Sequence, residues 1–285
     1  MTANRTDAAL LIPVKRFTQA KSRLVEAFPE ASRPRMKEQI GIALFDDLID
    51  VVRSFMNRKG DSRFKAIICS PDPAVKAKVK AAGNGFIFLD ETSIEQEEPA
   101  LQGLAGLDRI IAAMNDFATC VLGVKGTILL MCDLPILSVH ALIGLFKHVQ
   151  FKNGFKKVLL SPSMGNGCNM IGRFPPNIIE TRYSSKHGPS FIEHLSIAKQ
   201  KAEMLGIETG KFVQVYENLE FYLDLDTPDD LINLYPLLKE VKPRSRLVRL
   251  LDGMDIQIEK NDRDDTRHVS LKVNMNDLEP PSDPE

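Results

Sequence analysis

Four cations fall within nine positions of one stretch, VKRFTQAKSR, which places Lys15, Arg16, Lys21 and Arg23 ahead of the next acid, Glu26. Two acidic places lie far downstream: Asp133 in MCDLPIL, and Asp224 and Asp226 in LDLDTPDDL. Lysine and arginine neutralise phosphate oxygens, and carboxylates hold a hard divalent cation that keeps several waters. The two sets together suit a nucleoside triphosphate with a divalent metal. Each piece also has a plainer reading. A basic loop is often only a solvated surface, Asp133 could end a strand, and Asp226 beside Thr227 and Pro228 could start a helix.

What favours the chemical reading is where these residues fall. ALLIPV reads as a first strand, and SRPRMKEQIGIALFDDLIDVVRSFM has apolar residues at helical spacing. FKAIICS is a second strand stopped by the SPDP turn, and DPAVKAKVKAAG is a helix ended by Gly83. FIFLD, GTILLMCDLP, KKVLLSPS, CNMIGRF and FVQVYEN follow as strands. EPALQGLAGLDRIIAAMNDF, a segment from about Ser138, and PSFIEHLSIAKQKAEMLG read as the intervening helices. FYLDLDTPDDLINLYPLL reads as a last strand, carrying Asp224 and Asp226, that runs into a helix. Strands alternating with helices imply an α/β fold with a mostly parallel sheet between helices, mixed where the later strands crowd together. In such sheets ligands bind beyond the carboxyl ends of the strands. The basic loop, Asp133 and the Asp224–Asp226 pair all follow or occupy such ends.

Composition bounds the partners. A chain of 285 residues, 44% hydrophobic and 26% charged, can bury a sizeable core. A net charge of -1 gives no global reason to bind nucleic acid or an anionic membrane. The apolar runs are too short to span a bilayer, and the N-terminus lacks the pattern of a secretion signal. Cys69, Cys120, Cys132 and Cys168 show no CxxC pairing, so a cytoplasmic, reduced protein is expected. Residues 1–243 are expected to form the catalytic domain and 244–274 an appendage with two strands. The proline-rich acidic end, 275–285, is expected to be disordered.

LIPVKRFTQAKSRL, MCDLPIL, SFIEHLSIA and LDLDTPDDL, in this order and spacing, resemble the 2-phospho-L-lactate guanylyltransferase family. The resemblance covers roughly residues 9 to 235. It implies the Rossmann-like nucleotidyltransferase fold, similar to glycosyltransferase-A folds, with a loop that contains no glycine in place of a glycine-rich signature. It implies transfer of GMP from GTP to 2-phospho-L-lactate, phosphoenolpyruvate or 3-phosphoglycerate, with release of pyrophosphate, in deazaflavin coenzyme biosynthesis. Lys15, Lys21 and Arg23 would hold the triphosphate. Asp133 and Asp226, with Asp224, would hold Mg2+ or Mn2+. Family analogy also implies a homodimer. His187 and His194 need no catalytic role, because the attacking phosphate is already ionised, and His194 fits a structural histidine in an amphipathic helix.

The acceptor side departs from the family pattern. Members usually show GGGTNAL, with the threonine touching the acceptor phosphate, whereas this chain has MGNGCNMIG. Cys168 therefore stands at the threonine and Met170 at the alanine, while Asn169 matches. A thiol donates a much weaker hydrogen bond than a hydroxyl. Gly188 and Ser190 in HGPSF open a helix, where backbone N–H groups favour an anion, although Ser190 would serve equally as a plain cap. On the guanine side the chain has EEPALQGL where LN is common. Two other functions fit these departures: nucleotidyl transfer with another base or acceptor, such as a molybdenum-cofactor-like or sugar-phosphate reaction, and nucleotide binding without catalysis.

Overall fold

The structure is a computed structural model, which describes residues 6–59, 63–97, 106–184, 188–254, 256–261 and 268–273. His187, most of the EEPALQGL stretch and the tail 275–285 lie outside the described residues. The chain divides into two compact units: residues 1–16 with 48–224, and residues 17–47 with 225–285. Among the described residues no helix is long and apolar enough to cross a membrane.

The first unit is built on seven strands. They are β1 (Ala8–Pro13), β2 (Phe64–Ser70), β3 (Phe86–Asp90), β4 (Gly126–Leu130), β5 (Lys157–Pro162), β6 (Cys168–Phe174) and β7 (Val213–Val215), in the spatial order β3-β2-β1-β4-β6-β5-β7. All neighbours pair in parallel except β6, which is antiparallel to both β4 and β5. The mixed sheet expected from the crowded later strands is thus a parallel sheet with one reversed strand. β1 is buried along almost its whole length, which explains its unbroken apolar run.

Helices alternate with the strands along the chain. The described ones are α1 (Arg33–Lys59), α2 (Pro73–Ala82), α3 (Glu91–Glu97), α4 (Leu107–Asp116), α5 (Val139–Leu145), α6 (Ser190–Met204), α7 (Thr209–Phe212), α8 (Leu219–Tyr222), α9 (Pro228–Val241) and α10 (Arg246–Asp252). On one face Leu11, Ile67, Leu129 and Ile171 pack with Ile111 and Met114 of α4 and Ala198 of α6. Elsewhere in this unit Phe55 of α1, Phe64 of β2 and Phe146 meet with ring centroids 4.9 to 5.1 Å apart. Burying each such side chain contributes about 1.5–3 kcal/mol. Asp72 caps α2 by accepting from the Ala74 amide, and Gly83 ends it at φ +102°, a conformation that glycine alone adopts without strain.

Two expectations are corrected. Leu223–Asp226 is not a strand: Asn218 accepts from the Glu220 amide at 2.8 Å and starts the helical turn α8 instead, and the chain then runs as a loop to Thr227. An asparagine with a free backbone donor two residues on competes well with strand pairing. The single helix expected over EPALQGLAGLDRIIAAMNDF begins only at Leu107 among the described residues, and a separate helix, α3, follows β3 directly.

The second unit holds the basic loop's later half and the chain's last helices. Thr227 and Asp230 form a reciprocal capping box at the start of α9. Asp47 accepts from the amides of Arg246 and Leu247 (2.9 and 3.1 Å) at the start of α10. Beyond α10, β8 (Ile256–Asn261) pairs antiparallel with β9 (His268–Val273), the two strands expected there.

Candidate active site

In the first unit the chemistry-bearing residues gather at one edge of the sheet. β1 and β4 are parallel neighbours with Leu11 opposite Leu129, so both leave the sheet at their carboxyl ends side by side. Lys15 follows β1 by two residues and is exposed; Asp133 follows β4 by three and has a buried carboxylate oxygen. β5 runs the same way as β4 because each is antiparallel to β6, so the turn Ser163–Gly167 between β5 and β6 lies at this edge too. The turn is set by Ser163, whose amide donates to the Gly167 carbonyl and whose hydroxyl accepts from the Gly167 amide, both at 2.9 Å. A Cβ on Gly167 would come within 2.9 Å of that hydroxyl oxygen, so this position admits only glycine without a shift. The Met164 amide donates to the Tyr222 carbonyl and Asn169 Nδ2 to the Phe221 carbonyl, which ties the segment leading to Asp224 onto the turn.

The acceptor-side residues are placed differently from one another. Cys168 is buried in the apolar cluster on the sheet face, and its Sγ donates to the Met170 carbonyl at 3.4 Å. Burial pushes its thiol up to about 12. Asn169 is likewise buried. Ser190 opens α6 and Gly188 precedes it, exposed, at φ +150°. The Phe191 amide reaches the Asn166 carbonyl at 3.4 Å, which brings the start of α6 to the Ser163–Gly167 turn.

In the second unit Lys21, Arg23 and Asp226 are brought together. Lys21 Nζ lies 2.7 Å from Asp226 Oδ1 and Arg23 Nη2 3.3 Å from Oδ2. The Lys21 side chain is only 9% exposed against 69% for Arg23, so the first contact is the stronger of the two. Lys21 also adopts φ +53°, a left-handed conformation that costs a non-glycine residue about 1–2 kcal/mol. It is retained where the Val25 amide caps the Lys21 carbonyl at 3.1 Å and the ammonium meets Asp226. Asp230 accepts from the amides of both Asp226 and Thr227, which fixes the backbone that carries the carboxylate.

Asp133, Asp224 and Asp226 are hard oxygen donors of the kind Mg2+ takes. Among the described residues no group of three or more His, Cys, Asp or Glu side chains is placed to hold a metal ion. A Mg2+ ion commonly takes only one or two carboxylates and completes its shell with waters and phosphate oxygens.

The family described as Guanylyl transferase CofC like matches residues 105–271, more than half of the sequence. The chain belongs to that family. It is 29% identical over 150 residues to the 2-phospho-L-lactate guanylyltransferase of Methanosarcina barkeri, an alignment covering 50% of this chain and 64% of that one. It is 28% identical over 228 residues to the phosphoenolpyruvate guanylyltransferase of Conexibacter woesei, covering 80% and 87%. Among solved structures, the putative nucleotide-diphospho-sugar transferase of Desulfovibrio desulfuricans G20 superposes with a TM-score of 0.59 at 19% identity, covering 87% of this chain and 94% of that one. That likeness establishes the nucleotidyltransferase type of fold.

Three residues that the sequence reading did not place together hold the segment 182–184 beside β6: Asp108, Tyr183 and His194. Tyr183 donates from its hydroxyl to the Cys168 carbonyl at 2.8 Å. Asp108 accepts from the amides of Tyr183 and Ser184. His194 is fully buried, as a structural histidine should be, and its Nε2 accepts from the Arg182 amide at 2.8 Å. Burial lowers its pKa to about 4, so the ring stays neutral. The hint in the sequence was an acid, Asp108, in the first turn of a helix whose later residues are largely apolar.

Proposed function

We propose that this protein transfers GMP from GTP to a phosphorylated three-carbon acid, 2-phospho-L-lactate or phosphoenolpyruvate, and releases pyrophosphate. Membership of the guanylyl transferase family carries the reading, and the cations and acids beyond the strand ends supply groups suited to it. A phosphate oxygen of the acceptor attacks the α-phosphorus of GTP. The new P–O bond forms as the bond to the bridging oxygen breaks, and pyrophosphate leaves with the electron pair. The nucleophile is already ionised at neutral pH, so the chain's residues align and neutralise rather than move a proton. Lys15, Lys21 and Arg23 carry the charge suited to binding the triphosphate and stabilising the departing pyrophosphate. Asp133, Asp224 and Asp226 are the acids that would hold Mg2+, which would supply charge neutralisation to the phosphates.

The acceptor is assigned to the Ser163–Gly167 turn and the start of α6, where Ser190 and the open Gly188 present backbone and hydroxyl donors. Cys168, packed into the core, contributes through its carbonyl and its place in β6, and so does Asn169. The product is a diphosphate-linked intermediate of the deazaflavin coenzyme.

The test is pyrophosphate release with Mg2+ across GTP, ATP, CTP and UTP, each against 2-phospho-L-lactate, phosphoenolpyruvate and 3-phosphoglycerate. Turnover is expected with GTP and at least one of the first two acids. Release with none of the three acids, or preference for another base, would overturn the proposal.

A further inference from the structure

Three consecutive backbone N–H groups, those of Arg182, Tyr183 and Ser184, each meet a side chain from another element. The first goes to His194 Nε2 of α6 at 2.8 Å, and the other two go to Asp108 Oδ1 and Oδ2 of α4 at 2.6 and 2.9 Å. A run of successive amide donors is the geometry that cradles an anion. Here the anion is internal, a carboxylate only 7% exposed. Among the described residues its recorded partners are these two neutral amides. Taking a carboxylate out of water costs several kcal/mol, and a purely packing role for this turn of α4 would be met more cheaply by an apolar residue.

The clamped loop reaches the acceptor side by two routes. Tyr183 donates to the Cys168 carbonyl, at the start of β6 beside the Ser163–Gly167 turn, and its ring packs 4.8 Å from that of His194. The Arg182 amide is held by His194 of α6, the helix that Ser190 opens. Both oxygens of Asp108 are occupied, so it is not placed to act as a base.

We infer that Asp108 is a positioning residue: through the Tyr183 and Ser184 amides it fixes the loop that sets Ser190 and β6 for the phosphorylated acceptor. The role presupposes the nucleotidyl transfer proposed above. It predicts a selective defect, because the clamp's partners among the described residues lie on α4, α6 and β6.

The experiment compares the wild type with Asp108→Asn and Asp108→Ala, using Mg2+, GTP and phosphoenolpyruvate. Alongside the kinetics it follows hydrogen exchange at the Tyr183 and Ser184 amides in the unliganded protein. Asparagine keeps one acceptor oxygen but sets an NH2 against the other amide. This variant should therefore fold while raising the KM for phosphoenolpyruvate about tenfold, leaving the KM for GTP within about twofold. Exchange at the two amides should quicken, most in the alanine variant. An unchanged KM for phosphoenolpyruvate, or KM values for both substrates rising together, would overturn the positioning role. Should alanine fail to fold, the asparagine variant alone decides. Absence of any pyrophosphate release by the wild type would instead overturn the functional reading, while the exchange data would still report on the clamp.

Discussion

In the proposed transfer the basic loop and the loop around residues 182–184 would both serve phosphate binding, but they hold themselves by different means. Lys21 and Arg23 meet Asp226 side chain to side chain, charge against charge, on a loop partly open to water. The segment 182–184 is held backbone to side chain, by a buried carboxylate and a buried neutral imidazole. Ion pairs near water are worth little and exchange partners readily. Buried hydrogen bonds cost much to leave unmade and so fix geometry. In the proposed transfer the first region would give up its internal partners for a nucleotide, and the second would stay still while the acceptor arrives.

The largest effect expected on this contrast comes from Lys21→Ala. Removing a mostly buried ammonium that would pass from Asp226 to a phosphate should weaken GTP binding roughly a hundredfold, about 2.7 kcal/mol, as expected for a charge-assisted hydrogen bond. Arg23→Ala removes a side chain that is 69% exposed and should cost only a few-fold. Titration of GTP in the presence of Mg2+ checks both. Equal losses in the two variants would break the ranking, since exposure would then not govern the strength of either contact.

The same contrast explains what the sequence disclosed. The strands β1, β2, β4 and β5 were readable because strands buried on both faces write themselves as nearly unbroken apolar runs. The basic loop and Asp133 were readable because charge directly beyond such a run stands out. Asp224 and Asp226 were placed on a strand because FYLDLD alternates, while Asn218 capping a helical turn decided the local structure instead. The Asp108 clamp was hidden for a different reason. Its partners are backbone amides 75 and 76 positions away, which leave no trace in residue type. Cys168 was matched to a threonine position by its place in the motif, and such a match says nothing of which way a side chain faces once β6 is packed.

Next in size is a pH effect on the rigid region. His194 is buried and neutral, with its pKa lowered to about 4 from an ordinary value of 6.5, chiefly by desolvation. A histidine depressed in the folded state gains a proton on unfolding, so its contribution is fully present above pH 6.5 and is lost as pH falls towards 4. Between pH 7 and pH 5 this loss amounts to about 2 kcal/mol. Carboxylates such as Asp252, whose pKa the Tyr235 hydroxyl lowers, also lose stability on acidification, but at lower pH. Urea unfolding of wild type and His194→Gln at the two pH values separates them. The variant, less stable at pH 7, should lose about 2 kcal/mol less than the wild type on going to pH 5. Parallel losses in both would mean that His194 is protonated in the folded protein and that the clamp on the Arg182 amide is not made by a neutral ring.

The smallest effect should come from Cys168→Thr, the change that restores the residue common in the family. The Cys168 side chain is 2% exposed and belongs to the core cluster, with Sγ directed to the Met170 carbonyl. A threonine hydroxyl can take over that bond, while its added methyl must fit an already filled interior, at a cost of about 1 kcal/mol or somewhat more. The lost stability should appear in urea unfolding, with the KM values for 2-phospho-L-lactate and phosphoenolpyruvate each moving by less than about twofold, because the side chain at this position faces the core. A drop of about fivefold or more in one of them, the size of one gained hydrogen bond, would mean that residue 168 turns its side chain to the acceptor after all. The acceptor side would then resemble the basic loop, a region that rearranges on binding, and the contrast between a fixed and an exchangeable half would fail at its centre.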